Sequence, residues 1–326
     1  MPNLSAFIPD SHRNISAGYV ETLIQTRRED LFTGLMRLSC PSGPSLMFVF
    51  LEGVQLKLYR CLEDSVEVVS RQSWFDELDQ SCISAGFIRL PLDGLRFVRV
   101  ASEAPVVRVE PHTLRPEGLI DSAKKWSLEP EPSILHIHST AMNKYCLLAG
   151  QATPIVEELS FGQGDARFAI NDTSFSQTLP RDSYSVTRYV SSHEHDTWRE
   201  YELRLAFGPL MRMLLNRFSE LAGRTLTERL CERLSTWTRT NGWNVAVTGN
   251  GIVNRQYFDS LQTAIGFYVD LVRYFQSEAS PALGARMTDG ISREVLVKMD
   301  PYHRELLTRH IYSQSGAGGV TSAARR

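Results

Sequence analysis

The spacing of apolar residues changes once along this chain, and the change limits the folds open to it. Between residues 34 and 59, and again between 134 and 148, apolar residues alternate or cluster in short β-prone runs; from Asp196 onward they recur every three or four residues. The two periods predict an α+β fold. One N-terminal helix-plus-antiparallel-meander module, or two related ones, precedes a mainly helical C-terminal domain.

Along the first part, Tyr19, Val20, Leu23 and Ile24 share helical spacing and predict a helix over 17–29. Residues 35–40 alternate, a Pro- and Gly-containing turn follows at 41–44, and Leu46–Leu51 forms a strongly β-prone run. Glu52-Gly53 breaks that run before Val54–Tyr59 alternates as a third strand. Trp74, Leu78 and Cys82 share one face of a helix expected over 73–84, and apolar spacing returns over 86–100 around Pro91.

A similar order begins again near 117. A helix is expected over 117–126, a strand over 134–138, a turn at 141–143 and a strand running to Gly150. The first-strand segments align at an offset near 99 and the second-strand segments near 97. A degenerate internal repeat fits this pattern, and so does β chemistry shared by chance.

In the rear part, apolar positions from Trp198 to Leu221 predict a long helix that Gly208-Pro209 should kink or split. A second helix over 224–240 ends at Asn241-Gly242, and a short hairpin is expected near 243–253. Helices over 260–278, 284–299 and 301–311 close the fold, the last with Asp300 as N-cap and Pro301 at N1. The expected organisation is a flexible lead over 1–15, α/β modules over 16–112 and 113–192, a helical domain over 193–312, and a disordered tail over 313–326.

The segment Phe32-Thr33-Gly34-Leu35-Met36-Arg37-Leu38, followed by Ser45 to Val54 with its Phe48, Phe50 and Gly53, resembles the PATAN family, found at the N-terminus of PatA-like bacterial response regulators. The resemblance covers about residues 17–100. It implies a non-catalytic α/β module that makes protein contacts in bacterial signalling, and it carries over no catalytic residue. The chain shows no phospho-receiver domain of the kind those regulators carry, so phosphotransfer by this chain itself is not expected.

Composition narrows the function classes. Near-neutrality, with 35 basic and 37 acidic residues, offers no overall field for nucleic acid or anionic lipid. Only 5 of the basic residues are lysine, an arginine excess that suits a GC-rich genome. No apolar run reaches the ~18 residues of a membrane span, and the N-terminus has neither signal-peptide nor transit-peptide character, so a cytoplasmic location is expected. Cys40, Cys61, Cys82, Cys146 and Cys231 lie far apart, against a zinc ribbon or disulfide framework.

Two histidine pairs supply the one metal hypothesis. His136 and His138 are two apart on a predicted strand and share a face, while His193-Glu194-His195-Asp196 offers further ligands in a loop. The plainer reading makes the first pair strand residues and the second a solvated loop, with Asp196 or Thr197 capping the next helix. Gly162 and Gly164 lack the third glycine of a dinucleotide fingerprint, and no G-x-S-x-G or Walker A pattern occurs. Arg212, Arg217, Arg224 and Arg233 form a stripe able to meet phosphates, but Glu220, Glu228 and Glu232 are interleaved.

The expected function is therefore a non-catalytic regulatory or adaptor protein that binds other proteins in bacterial signalling, with dimerisation or a second contact supplied by the helical half. No catalytic, cofactor-binding or metal residue and no cofactor is assigned. The alternatives are a metal- or small-molecule-dependent enzyme using His136, His138 and His195, and a nucleic-acid-binding regulator acting through the arginine-rich helices.

Overall fold

The computed structural model describes residues 2–40, 43–62, 65–70, 83–139, 143–148, 156–161, 166–171 and 183–313. Residues 73–82 of the helix expected over 73–84, Gly150, the Gly162–Gly164 turn and the expected tail from residue 314 lie outside them, and Ile83 and Ser84, the end of that expected helix, are strand instead. The chain is α+β and divides into two compact units, Met1–Trp198 and Arg199–Arg326.

The first unit traces one path twice. After a short 3₁₀ turn at Leu4–Phe7, the elements are β1 (Asp10–Ile15), α1 (Ala17–Glu29), β2 (Gly34–Ser39), β3 (Ser45–Leu51), β4 (Val54–Cys61), β5 (Val66–Val68), β6 (Ile83–Arg89) and α2 (Leu92–Glu103). The second pass runs β7 (Val106–Leu114), α3 (Pro116–Ser127), β8 (Ser133–His138), β9 (Asn143–Leu148), β10 (Val156–Phe161), β11 (Ala166–Asn171), β12 (Tyr184–Ser191) and α4 (Asp196–Ala222). Each pass builds a six-stranded antiparallel sheet, ordered β1-β6-β2-β3-β4-β5 in one and β7-β12-β8-β9-β10-β11 in the other. The sixth strand of each pass thus inserts between the first and second. β8 starts 99 residues after β2 and β9 98 residues after β3.

Alternation explains the layering. Met36, Leu38, Leu46, Phe48, Phe50, Leu58 and Ile83 turn one face of the first sheet onto Val20, Leu23 and Ile24 of α1. Their neighbours Leu35, Met47, Val49, Tyr59 and Ile88 fill the other face and are equally buried, because α2 lies there. In the second sheet Leu135, Ile137, Cys146, Leu148 and Val186 pack on Leu119, Ala123 and Trp126 of α3. Its opposite face meets α2, where the Phe97 ring stands edge-on to Phe168 at 6.5 Å. The layers therefore run α1, first sheet, α2, second sheet, α3.

Two segments differ from the sequence reading. Residues 1–15, expected to be a flexible lead, carry buried Leu4 and Ile8, the first strand, and Phe7, whose ring stacks 5.4 Å from Phe161. Apolar Leu4, Phe7 and Ile8 lie among polar residues, so the segment shows no period of its own, and its order comes from the sheets it touches. The expected module boundary at 112/113 cuts β7, and the change of sheet instead falls at Ala104-Pro105, between α2 and β7.

The second unit begins within α4 and continues with α5 (Arg224–Thr240), the hairpin β13 (Val245–Thr248) and β14 (Gly251–Asn254), α6 (Leu261–Leu283), α7 (Ala285–Lys298) and α8 (Pro301–Leu307), ending in a π turn at Thr308–Tyr312. Its core gathers Leu203 to Phe218 of α4, Leu230 and Leu234 of α5, and Ala264 to Phe275 of α6. Pro209 does not split α4, which continues to Ala222. Phe207, Leu210, Met211 and Leu214 are fully buried on either side of it, and this packing offsets the one backbone hydrogen bond that proline removes. Pro301 stands at N1 of α8, where Asp300 Oδ1 accepts from the backbone N–H groups of Tyr302 and His303 at 3.0 and 3.1 Å.

The β3–β4 hairpin turns through Glu52 and Gly53, with φ of 49° and 79°, the twist a two-residue loop needs. Gly34 is tighter still: at φ 152° a Cβ would stand 2.1 Å from the Ile88 carbonyl oxygen on β6. Gly34→Ala is expected to cost about 2 kcal/mol or more by separating β2 from β6, measurable as a lower denaturation midpoint in urea.

Candidate functional site

The two histidine pairs are put to different structural uses. His136 on β8 stacks on Tyr145 of β9, with ring centroids 4.4 Å apart and planes 9° from parallel, and its Nε2 lies 2.8 Å from Asn143 Oδ1. Phe7 closes edge-on at 5.8 Å. Burial here holds the His136 imidazole below its ordinary value, with the Asn143 hydrogen bond acting the other way and His138 adding to the depression. His138 is exposed, its ring 6.1 Å from that of His136.

His193 and His195 lie in the turn between β12 and α4. The ring of His195 accepts the Thr197 N–H at Nδ1, 3.3 Å away, so His195 caps α4 in place of the expected Asp196 or Thr197. Among the described residues no three His, Cys, Asp or Glu side chains converge to hold a metal ion. Cys40, Cys61, Cys146 and Cys231 are buried, and burial pushes the Cys61 thiol up to about 11.

The charged groups inside the first unit form two clusters. Glu103, at the end of α2, accepts from Tyr59 Oη at 2.9 Å and Arg99 Nε at 3.1 Å, and reaches Lys57 Nζ at 3.5 Å and Thr197 Oγ1 at 3.5 Å. It ties β4, α2 and the start of α4 together. On the α3 side of the second sheet, buried Arg188 donates to Glu129 at 2.7 Å, Glu110 at 3.2 Å and Ser133 Oγ at 3.3 Å, with its guanidinium 5.2 Å from the Trp126 ring centroid. Burial acts to raise the Glu110 carboxyl, but Arg108 and Arg188 together hold it below the usual carboxylate range.

In the helical unit Tyr302 Oη donates to buried Glu202 at 2.5 Å, and Asp300 Oδ2 lies 2.6 Å from His303 Nδ1. Burial lowers the His303 imidazole despite these two carboxylates. Three of the four arginines of the stripe are paired within the chain: Arg217 to Glu220 and Glu294 at 2.6 and 3.1 Å, Arg224 to Glu228 at 2.8 Å, and Arg233 to Glu278 at 2.6 Å, while Arg212 is exposed. Glu220 and Glu228 are two of the interleaved acids of the sequence pattern. Glu278 and Glu294 come from other helices, and only the fold brings them there. Beside Arg233 a shallow cleft of about 410 Å³ is floored by Trp237 and Tyr274, stacked at 5.1 Å.

One surface feature was not visible in the sequence. Among the described residues β7 ends the second sheet, and Val107 and Val109 on it are 61% and 51% exposed. The direction of its backbone follows from the neighbouring ladder. Ser191 N–H bonds the Pro132 carbonyl, so the odd residues of β12 address β8 and the even ones address β7. Val186, Arg188 and Val190 stand opposite His112, Glu110 and Arg108, which makes these the inward-bonded residues of β7. Val109, Pro111 and Thr113 therefore turn their backbone groups outward. Pro111 falls where its missing N–H costs the sheet nothing, as proline in an edge strand requires.

No protein-family model and no curated protein matches the chain. Among solved structures, one provisionally assigned as a DNA polymerase III beta subunit of Eubacterium rectale is 6% identical over 57% of this chain and 66% of its own, with a TM-score of 0.12, too low to bear on fold or function.

Two measurements check this account. Arg188→Ala is expected to destabilise the protein by about 3 kcal/mol, since it leaves Glu110 and Glu129 without the cation they converge on; equilibrium urea unfolding reads the loss. His136 and His303 have folded-state pKa values below their unfolded ones, so the stability they contribute is present above the ordinary histidine value of about 6.5 and is lost as pH falls through the lowered values. Unfolding free energy should therefore decline on acidification below about pH 6.5, less steeply in His136→Gln, and NMR titration should place the His136 ring below the ordinary histidine value.

Proposed function

We propose that this chain is a non-catalytic regulatory or adaptor protein that acts by binding other proteins in bacterial signalling, with residues 17–100 forming a PATAN-like module. The open edge of β7 carries the reading. A nine-residue edge strand with outward-facing backbone at Val109 and Thr113 and two exposed valines provides both requirements of strand addition: main-chain hydrogen bonds for affinity and alternate side chains for selection.

The histidines of the metal-enzyme alternative favour the same reading. His136 is stacked and hydrogen-bonded, and His195 caps a helix. The arginines of the nucleic-acid alternative are largely committed to glutamates within the chain. The family resemblance supplies the signalling context, and Gly34 and Gly53, two of its motif positions, sit where the Ile88 carbonyl of β6 and the Arg28 carbonyl of α1 leave no room for a side chain.

Val109→Pro removes one outward N–H and leaves the β12 ladder intact. If β7 is the binding edge, a protein retained by the immobilised full-length chain is held at least about tenfold more weakly by this variant, a loss of about 1.4 kcal/mol. Equal retention by both, with unchanged thermal unfolding, would count against the reading.

A further inference from the structure

We infer that the occupant of the β7 edge is a second copy of this chain, paired antiparallel through β7 about a two-fold axis at Val109. The inference deepens the strand-addition reading and rests on it: the strand that the edge accepts is that of a second copy, and the dimer so formed, rather than the single chain, is what meets other proteins. The sequence of the edge, Val107-Arg108-Val109-Glu110-Pro111, is complementary to itself in that arrangement. With Val109 opposite the partner's Val109, Arg108 of each chain faces the partner's Glu110, and the irregularity of β7 at Val107 lies outside this central match. A shift of two residues breaks this match, setting Arg108 opposite either the partner's Arg108 or its His112.

Both faces of the joined strand are then provided for. Arg108, Glu110 and His112 lie on the α3 face, where Arg108 is about half exposed and already reaches Glu110 Oε1 at 2.5 Å and Glu131 Oε2 at 3.3 Å. A second copy completes an alternating arrangement of two arginines and two glutamates across the axis, while each Glu110 keeps its bond to buried Arg188. On the opposite face the two Val109 side chains meet, which removes from water a valine that is 51% exposed in the single chain.

The backbone agrees with this centre. Val109 presents both its N–H and its carbonyl outward, so the central pair exchanges two hydrogen bonds, as a directly opposed bonded pair does. Pro111 has no N–H to offer an incoming strand, and centring the pair on Val109 moves that deficit two residues from the axis. The association is isologous and closes at two chains, because each copy uses up its own β7 edge. From the sequence, the helical half is expected to supply dimerisation or a second contact; this geometry places the self-association on the second sheet.

The test is the mass of the full-length chain in solution, by sedimentation equilibrium over a concentration series. The expected result is a dimer of the 36.9 kDa chain. Arg108→Glu sets glutamate opposite the partner's Glu110 and is expected to raise the dissociation constant at least about tenfold. As an independent reading, Val109→Cys should give a disulfide-linked dimer on mild oxidation, since a bonded pair has Cα atoms about 5.5 Å apart, inside the range a disulfide spans. Val253→Cys, on exposed β14, should not. A wild-type monomer at about 0.1 mM, roughly −5.5 kcal/mol of association, overturns the inference, as does a dimer that Arg108→Glu leaves unchanged or that Val109→Cys fails to link. A monomer that still loses a heterologous protein on Val109→Pro would overturn the self-pairing alone, and a monomer that loses none would overturn both.

Discussion

Helix α2 has no solvent-facing side, and the first unit depends on how that is achieved. Every residue from Gly94 to Ser102 is buried, including Arg96 and Arg99, because one sheet lies on each flank. Apolar burial favours such a helix, but a charge taken from water without a partner costs several kcal/mol. Asp93 answers Arg96 at 2.6 Å, and Glu103 answers Arg99, Lys57 and Tyr59 together. Glu103 also reaches Thr197 at the head of α4, so the charge that satisfies α2 fastens the end of one pass to the end of the next.

The repeated path gives the two sheets the same problem and different answers. Each sheet inserts its last strand between its first two, so each leaves its first strand at an edge. In the first sheet that edge is β1, whose pairing with β6 is broken by register shifts and whose side chains are largely polar, features that discourage further pairing. In the second sheet it is β7, longer and paired to β12 over nearly its whole length, with valines on its free face. Equivalent positions in one topology are thus a closed edge in one copy and an open one in the other.

The helical unit is organised around α6, which presents buried residues on several sides, Ile265, Tyr268, Leu271, Val272 and Phe275 among them. Its aromatic contacts run to Phe207 on α4 at 4.1 Å and Phe258 at 5.6 Å. The hairpin of β13 and β14 is held to α5 by Ser235 and Thr238, whose hydroxyls bond the Val247 and Val245 carbonyls at 2.9 and 2.6 Å. Polar side chains here satisfy the outer backbone of a two-stranded sheet that would be marginal alone.

What the sequence by itself determined is local. The switch from period two to period three or four, the Glu52-Gly53 hairpin, the Asp300-Pro301 start of α8 and the stop at Asn241-Gly242 all follow from side-chain alternation and from residues with restricted or unusual φ, and the structure has each of them. Tertiary structure alone decided that α2 is buried on both flanks, that residues 4–15 are ordered, that His195 caps a helix, and that β7 belongs to the second sheet and forms its edge. Alternation says which side chains share a face but not which strand lies alongside; β1 with β6 and β7 with β12 pair across some 70 residues of chain. Such pairings are selected by the burial and charge balance of the whole unit, for which no short window of residues carries the signal.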